Sequence, residues 1–174
     1  MQQIKWFKRE FNFSSEQNIF PSIIERLSGT PVRLEEKLRS VSADILTARV
    51  DDTWTIKENV GHLTDLEPLW QGRLEDILTG KTELRATDLL NTRTTEADHN
   101  NVAIEKLLAG FREIRKKTIG IIEKLTEEQI FMSALHPRLK TPMRTMDHFL
   151  FVADHDDHHL ARMTELIKLS AKKK

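Results

Sequence analysis

Three histidines stand within six residues near the C-terminus, in the stretch "HDDHHL" that begins at His155. Residues four apart on an α-helix project from nearly the same side, so His155 and His159 can chelate one metal ion from a single helix. His158 points away from His159 and is interpreted as a supporting or solvent-facing residue. The stretch therefore indicates either a metal site or a polar helix face that is rich in histidine.

A metal site needs a ligand from elsewhere in the chain, and His62 is the candidate. It lies in "ENVGHLTDLE", among apolar residues, where an imidazole needs a partner. Metal sites in helical bundles are built from side chains of facing helices. Three neutral nitrogen ligands with an open position are typical of catalytic metal sites. We therefore predict that His62, His155 and His159 bind one metal ion, with hydrogen-bonded core histidines as the alternative.

Two carboxylates near His62 are candidate catalytic residues. A divalent ion on three imidazoles lowers the pKa of bound water to about 7, and it can equally bind a thiol as its thiolate. A hydrolase would use a nearby carboxylate as general base, for which Glu58 is the first candidate and Asp65 the second. The structural alternatives are that Glu58 completes a helix cap with Thr55 and that Asp65 holds a ligand imidazole in its tautomer. Hydrolysis and thiol transfer both remain open.

Other charged and imidazole side chains have weaker claims to a role. A thiol transferase would use cations to bind the carboxylates of the thiol, and Arg73, Arg144 and Arg162 lie on suitable helices. Ordinary surface charge is the simpler interpretation of all three arginines. His99 and His136 fall in weakly patterned segments and are predicted to be surface loop residues.

Helical periodicity dominates the chain, and no convincing alternating strand pattern is present. It predicts a short helix over residues 21–28, a stop and restart at "GTP" (29–31), and further helices over residues 31–41, 55–78, 96–125 and 145–170. Capping boxes are expected at Thr55 and Thr126, and a long loop over residues 79–94. The predicted fold is all-α: a four-helix bundle with a short additional N-terminal helix. We expect residues 1–174 to form one domain, with an N-terminal extension (1–18) and a basic tail (171–174).

Composition narrows the classes of partner. The chain has 27 lysines and arginines against 27 aspartates and glutamates, which removes the usual electrostatic reason to expect a nucleic acid. It has no cysteine, so any metal must have nitrogen and oxygen ligands. Neither a secretory signal nor an apolar run long enough for a membrane span is recognised. The expectation is a cytoplasmic protein that binds neither nucleic acid nor membrane.

Two segments, "WTIKENVGHLTDLE" and "FVADHDDHHLARM", resemble the signature segments of the DinB / YfiT-like superfamily. Trp54, His62 and Asp65 match the first segment of that family. His155 and His159 match the outer histidines of the second segment, with His158 between them. The chain departs from many members at Arg162, where they carry glutamine.

The resemblance implies a four-helix bundle with a divalent nickel, zinc or iron ion on three histidines, and a homodimer. Characterised relatives include transferases of low-molecular-weight thiols and metal-dependent hydrolases, so a small molecule is the expected substrate. An alternative of another class stays open. The chain could be a non-catalytic bundle with a vestigial metal site that acts as a binding or stress-associated protein.

Overall fold

The computed structural model describes residues 3–171, and their side chains through Ser170. The last three lysines of the expected basic tail lie outside the described residues. The elements in chain order are a 3₁₀ turn Trp6–Lys8, α1 Phe20–Leu38, α2 Ala43–Leu46, α3 Ile56–Leu78, α4 Thr92–Glu96, a 3₁₀ turn His99–Asn101, α5 Ile104–Ile122, α6 Glu127–Phe131, β1 Ser133–Leu135, β2 Pro142–Arg144 and α7 Thr145–Ala171.

The four long helices α1, α3, α5 and α7 form a four-helix bundle. Both α1 and α3 pack against α5 and α7. The capping boxes predicted at Thr55 and Thr126 are both present, and they begin α3 and α6. The all-α bundle expected from periodicity is therefore confirmed. Within the described part of the chain, no helix is both long and apolar enough to cross a membrane.

Two apolar clusters fill the bundle, one on each side of a polar layer. The first surrounds Trp70 and Phe149, and the second surrounds Phe111 and Met163. Each long helix contributes apolar residues to both clusters and buried polar residues between them. The polar layer consists of the buried side chains of Thr30, His62, Glu67, Arg115, Thr118, His155, Asp156 and His159.

The predicted break at residues 29–31 is wrong, because α1 runs without interruption from Phe20 to Leu38. Pro31 has no N–H and cannot donate to the carbonyl of Leu27 four residues earlier. Arg115 Nη1 of α5 donates to that carbonyl instead, over 3.3 Å. A long-range contact thus replaces the missing helical hydrogen bond. The short helix and its successor are consequently one bundle helix.

The segments flanking α5 also differ from the expectation. The helix predicted to begin near residue 96 begins at Ile104, because residues 92–101 form the short α4 and a 3₁₀ turn. A small antiparallel hairpin of β1 and β2 was not predicted. Its strands have three residues each, and Glu83 forms an isolated bridge with Leu135 beside it. Strands this short have no periodic sequence signal.

The N-terminal extension packs along α7 at the middle of the bundle. Trp6 contacts Phe11 and Phe151 edge to face, at ring centroid distances of 5.1 and 5.0 Å. Arg144, the last residue of β2, donates to the carbonyls of Phe13 and Ser15 and so holds the extension in place. The ring of Trp6 also lies 5.1 Å from the ring of His155, so the extension covers part of the polar layer.

Candidate metal centre

The structure brings His62 of α3 together with His155 and His159 of α7. All three imidazoles are buried, with 3, 4 and 7% of their surfaces exposed. Each offers one ring nitrogen, and these nitrogens lie within 4.8 Å of one another. His155 Nε2 and His159 Nε2 are 3.2 Å apart. Two nitrogens that share a tetrahedral zinc ion lie roughly 3.3 Å apart, so this spacing suits a common metal.

Hydrogen bonds leave Nε2 of two of the histidines available as a ligand. Asn59 Oδ1, which can only accept, lies 2.8 Å from His159 Nδ1, so this nitrogen carries the proton. Thr94 donates its hydroxyl proton to Asp65, and it must therefore accept from His62 Nδ1 at 3.0 Å. Both Nε2 atoms then have a free lone pair, the form of imidazole that binds a metal.

His155 differs from its two neighbours. No hydrogen-bond partner within the described residues reaches its buried Nδ1. Without a metal, the proton of His155 lies on Nε2 and is donated to His159 Nε2. To act as a ligand, His155 must carry this proton on Nδ1. The ring of Trp6 packs against His155 at 5.1 Å and limits its rotation.

Side chains around the histidines are themselves held in place. The amide of Asn59 donates to the carbonyls of Thr55 and Trp54, at 2.7 and 3.3 Å, which turns its oxygen toward His159. His99 donates from Nε2 to Asp65 at 2.9 Å. Its ring occupies the space that a Cβ on Gly61 would need, so only glycine at that position permits this approach.

Burial keeps these imidazoles neutral. It lowers the pKa of His62 to about 4, and it lowers the pKa values of His155 and His159 well below the ordinary 6.5. The mutual proximity of the three rings lowers the pKa values of His155 and His159 further. Neutral imidazole is the ligand form, and the three residues therefore fit a divalent transition metal at neutral pH.

The two predicted catalytic carboxylates are both engaged elsewhere. Glu58 Oε2 accepts from the backbone N–H of Thr55 in the capping box, and Glu58 Oε1 accepts from Arg49 at 2.6 Å. Asp65 accepts from Thr94 and His99 and lies 3.3 Å from Arg93. Neither carboxylate lines the cleft beside the histidines.

A cleft of about 710 Å³ opens onto the three histidines. The ring centroids of Trp54 and His62 lie 4.5 Å apart, and those of Trp70 and His155 lie 5.6 Å apart. Aromatic rings therefore form part of the cleft walls. The cationic side chains that line it are Lys5, Arg73, Arg138 and Arg162. Four acidic side chains also line it, those of Asp51, Asp52, Asp88 and Glu165. The cleft thus combines an apolar body with charges of both signs, a composition suited to a small polar organic molecule.

Several histidines and arginines that were predicted to be surface residues are buried or paired in the structure. His99 and His136 are not surface residues, because 8 and 2% of their surfaces are exposed. Arg73 is not ordinary surface charge either, since only 2% of it is exposed. Arg162 pairs with Glu165 at the edge of the cleft. Arg144 pairs with Asp147 and does not line the cleft.

A buried ion network supports α7 behind the histidines. Arg115 donates to Glu67 Oε1 at 2.6 Å and to both oxygens of Asp156 at 2.5 and 3.1 Å. Thr118 donates to Glu67, and Thr30 donates to Asp156. Burial raises the pKa of Glu67 even though Arg115 opposes the shift. Sequence reasoning missed this network, although charged residues at helix positions between apolar ones were a signal.

A family model described as the DinB superfamily matches residues 26–163, a range that includes all three histidines. The chain belongs to the DinB superfamily. A search among curated proteins finds no match.

Among solved structures, the DinB chain is similar to YfiT from Bacillus subtilis, described as a probable metal-dependent hydrolase with an unusual four-helix bundle topology. The TM-score is 0.81 at 22% sequence identity, over 94% of each chain. This likeness establishes the fold. The DinB match begins after the N-terminal extension, so Trp6 contributes to the cleft from outside the matched range.

Proposed function

We propose that this DinB protein is a metal-dependent enzyme that binds a divalent nickel, zinc or iron ion through His62, His155 and His159. The observation that carries the proposal is the convergence of three buried, neutral imidazoles at the floor of a cleft. Hydrogen bonds that His62 and His159 donate to Thr94 and Asn59 already fix the Nδ1 protons of these two imidazoles. Hydrogen bonds of this kind hold the histidine ligands of metal sites in the required tautomer.

The ion would supply an acidic centre that lowers the pKa of a bound water or thiol. The protein's own residues orient the site and limit its contact with water. Asn59 and Thr94 hold two imidazoles, while Trp6, Trp54 and Trp70 line the cleft with apolar surface. Exclusion of water strengthens every electrostatic interaction within the cleft.

Transfer of a low-molecular-weight thiol to an electrophile is the reaction we favour. The sulfur forms a bond to an electrophilic carbon, the leaving group departs with its bonding electrons, and the thiol proton passes to solvent. This reaction needs no carboxylate as general base, and Glu58 and Asp65 are both engaged away from the cleft. Two of the arginines that line the cleft, Arg73 and Arg138, form no ion pair within the described residues and suit the carboxylates that such thiols carry.

Metal-dependent hydrolysis is the second candidate. The observation that favours it is the structural likeness to the Bacillus subtilis protein, whose description names a probable hydrolase. At 22% identity the likeness concerns the fold. Because Glu58 and Asp65 do not line the cleft, water activation would then rest on the ion.

The test is turnover by protein reconstituted separately with Ni²⁺, Zn²⁺ and Fe²⁺, beside metal-free protein. One assay combines cysteine or glutathione with 1-chloro-2,4-dinitrobenzene and follows the thioether. A second assay uses a panel of esters and amides. We expect metal-dependent thioether formation that is lost in His155→Ala. Ester or amide cleavage with no thioether would select hydrolysis, and no turnover in either assay despite bound metal would favour the non-catalytic alternative.

A further inference from the structure

Arg73 is a buried cation that forms no ion pair within residues 3–170. Its Nε donates to the carbonyl of Arg85 at 3.1 Å, but its buried Nη2 has no hydrogen-bond partner within residues 3–171. Asp76, one turn further along α3, accepts from Arg85 and Lys81. No carboxylate in the described chain forms an ion pair with Arg73. A charge buried in this way is costly unless a ligand supplies the missing partner.

His136 places a second hydrogen-bond donor next to the guanidinium of Arg73. Its Nδ1 accepts from the backbone N–H groups of Arg138 and Leu139, at 3.2 and 3.1 Å. The proton of the neutral ring is therefore on Nε2, which faces Arg73 Nη1 at 3.2 Å. Two donors cannot bond to each other, but both can donate to one acceptor that lies beside the pair, within hydrogen-bond distance of each. Burial lowers the pKa of His136 to about 4, so the ring is neutral at pH 7.

Both side chains line the cleft that contains the histidines, and Arg138 lines it beside them. Burial lowers the pKa of Arg73 to about 10, which leaves it charged at neutral pH. Trp70 lies between Arg73 and the three-histidine site. Its ring is 5.7 Å from Arg73 Cζ and 5.6 Å from the ring of His155. A single small molecule can therefore contact the guanidinium and the metal centre across one indole.

We propose that Arg73, His136 and Arg138 form an anion subsite that binds a carboxylate of the substrate. A carboxylate matches the free edge of a guanidinium with two parallel hydrogen bonds, and it accepts from the imidazole with a remaining lone pair. The subsite selects acids among the small molecules that enter the cleft. The link to chemistry rests on the proposed function, whereas anion binding itself does not require a metal.

The first arm of the test uses protein loaded with Co²⁺ and two matched thiols, 3-mercaptopropionate and 3-mercaptopropan-1-ol. The thiolate-to-cobalt absorption band measures the dissociation constant of each. We expect the acid to bind about 10- to 100-fold more tightly than the alcohol. Arg73→Gln should remove this preference and leave the affinity for the alcohol unchanged. A preference that persists in Arg73→Gln, or no preference in the unmodified protein, would overturn the proposal.

Arg73 is buried, so a second variant guards against a folding defect. Arg138→Gln changes a half-buried residue with no ion pair in the described chain, and it should reduce the preference for the acid in part. Arg39→Gln, a matched change of an exposed arginine outside the cleft, should retain it in full. An equal loss in Arg39→Gln would show that overall charge causes the preference and would overturn the subsite.

The second arm separates this proposal from the proposed function. Sodium propionate and propanol are titrated into metal-free protein while tryptophan fluorescence is recorded, since Trp70 adjoins Arg73. Saturable quenching by propionate alone, absent in Arg73→Gln, supports the subsite even if no metal binds. No response to propionate in metal-free protein would overturn the anion subsite while leaving the three-histidine site intact.

Discussion

Asn59 Oδ1 lies 2.8 Å from Nδ1 of His159, and this contact determines which nitrogen of His159 is available as a ligand. The Asn59 amide cannot turn over, because its nitrogen donates to the carbonyl of Thr55. The first turn of α3 thereby fixes the tautomer of a residue on α7. Outer contacts of this kind commonly change metal affinity by one or two orders of magnitude.

Asn59→Ala should weaken metal binding about 10- to 100-fold while the bundle stays folded. The cause is the loss of the acceptor that keeps the His159 proton on Nδ1. Competitive titration against a chromophoric chelator measures the affinity, and circular dichroism checks the fold. Asn101→Ala, on an exposed asparagine, is the control. Unchanged affinity in Asn59→Ala would show that this hydrogen bond does not prepare the site.

Glu58→Gln should leave metal affinity and turnover unchanged, because glutamine also completes a capping box. Asp65→Ala should lower metal affinity about tenfold, since Thr94 and His62 lose the acceptor at the end of their hydrogen-bond chain. The same chelator titration and the assays described above measure both effects. A large loss of turnover in Glu58→Gln at full metal occupancy would restore Glu58 as a catalytic base.

His148→Gln should make the metal-free protein less sensitive to acid. Burial lowers the pKa of His148 from 6.5 to about 3. The unfolded chain therefore binds an additional proton as the pH falls below about 6.5, so stability is lost from there toward pH 3. Removal of this group should reduce the loss in unfolding free energy between pH 7 and 5 by about 2 kcal/mol.

The His148→Gln measurement is urea unfolding at the two pH values. Glutamine retains a donor for the carbonyl of Trp70, which His148 Nε2 contacts at 3.0 Å. The comparison thus isolates titration from hydrogen bonding. An identical pH dependence in both proteins would mean that His148 is not held neutral by burial.

Arg115→Met should destabilise the bundle by about 3–5 kcal/mol, because it leaves Glu67 and Asp156 buried without their partner. Arg112→Met is the matched control three residues earlier on α5. Its pair with Glu35 is partly exposed, so we expect a change of about 0–1 kcal/mol. Chemical denaturation measures both. Equal effects of the two variants would contradict a structural role for the buried network.

The helical scaffold and the positions of its histidines were accessible from the sequence because both depend on local periodicity. His155 and His159 are four residues apart on one helix, and the apolar stripe around His62 placed it on the inward face of another. Caps at Thr55 and Thr126 have equally local signals. The structure adds the distances between the rings and the hydrogen bonds that position them.

Two predictions were wrong, the helix break at Pro31 and the exposure of His136, because both features depend on contacts between distant parts of the chain. Pro31 is tolerated within α1 because Arg115, 84 residues later in the chain, donates to the carbonyl of Leu27, which Pro31 leaves without a donor. His136 lies in a short hairpin connection without periodicity, and only packing against α3 buries it beside Arg73. Polar loop composition predicted exposure for His136, and tertiary packing reversed it.

The most direct test of the three-histidine site is elemental analysis of untagged protein after reconstitution and desalting. We predict about one equivalent of nickel, zinc or iron per chain, retained in His158→Ala and lost in a folded His155→Ala/His159→Ala variant. His158 is the matched control because it adjoins the ligands on α7 without joining their cluster. Equal metal content in the unmodified protein and the double variant, or none in either, would contradict a metal centre at His62, His155 and His159.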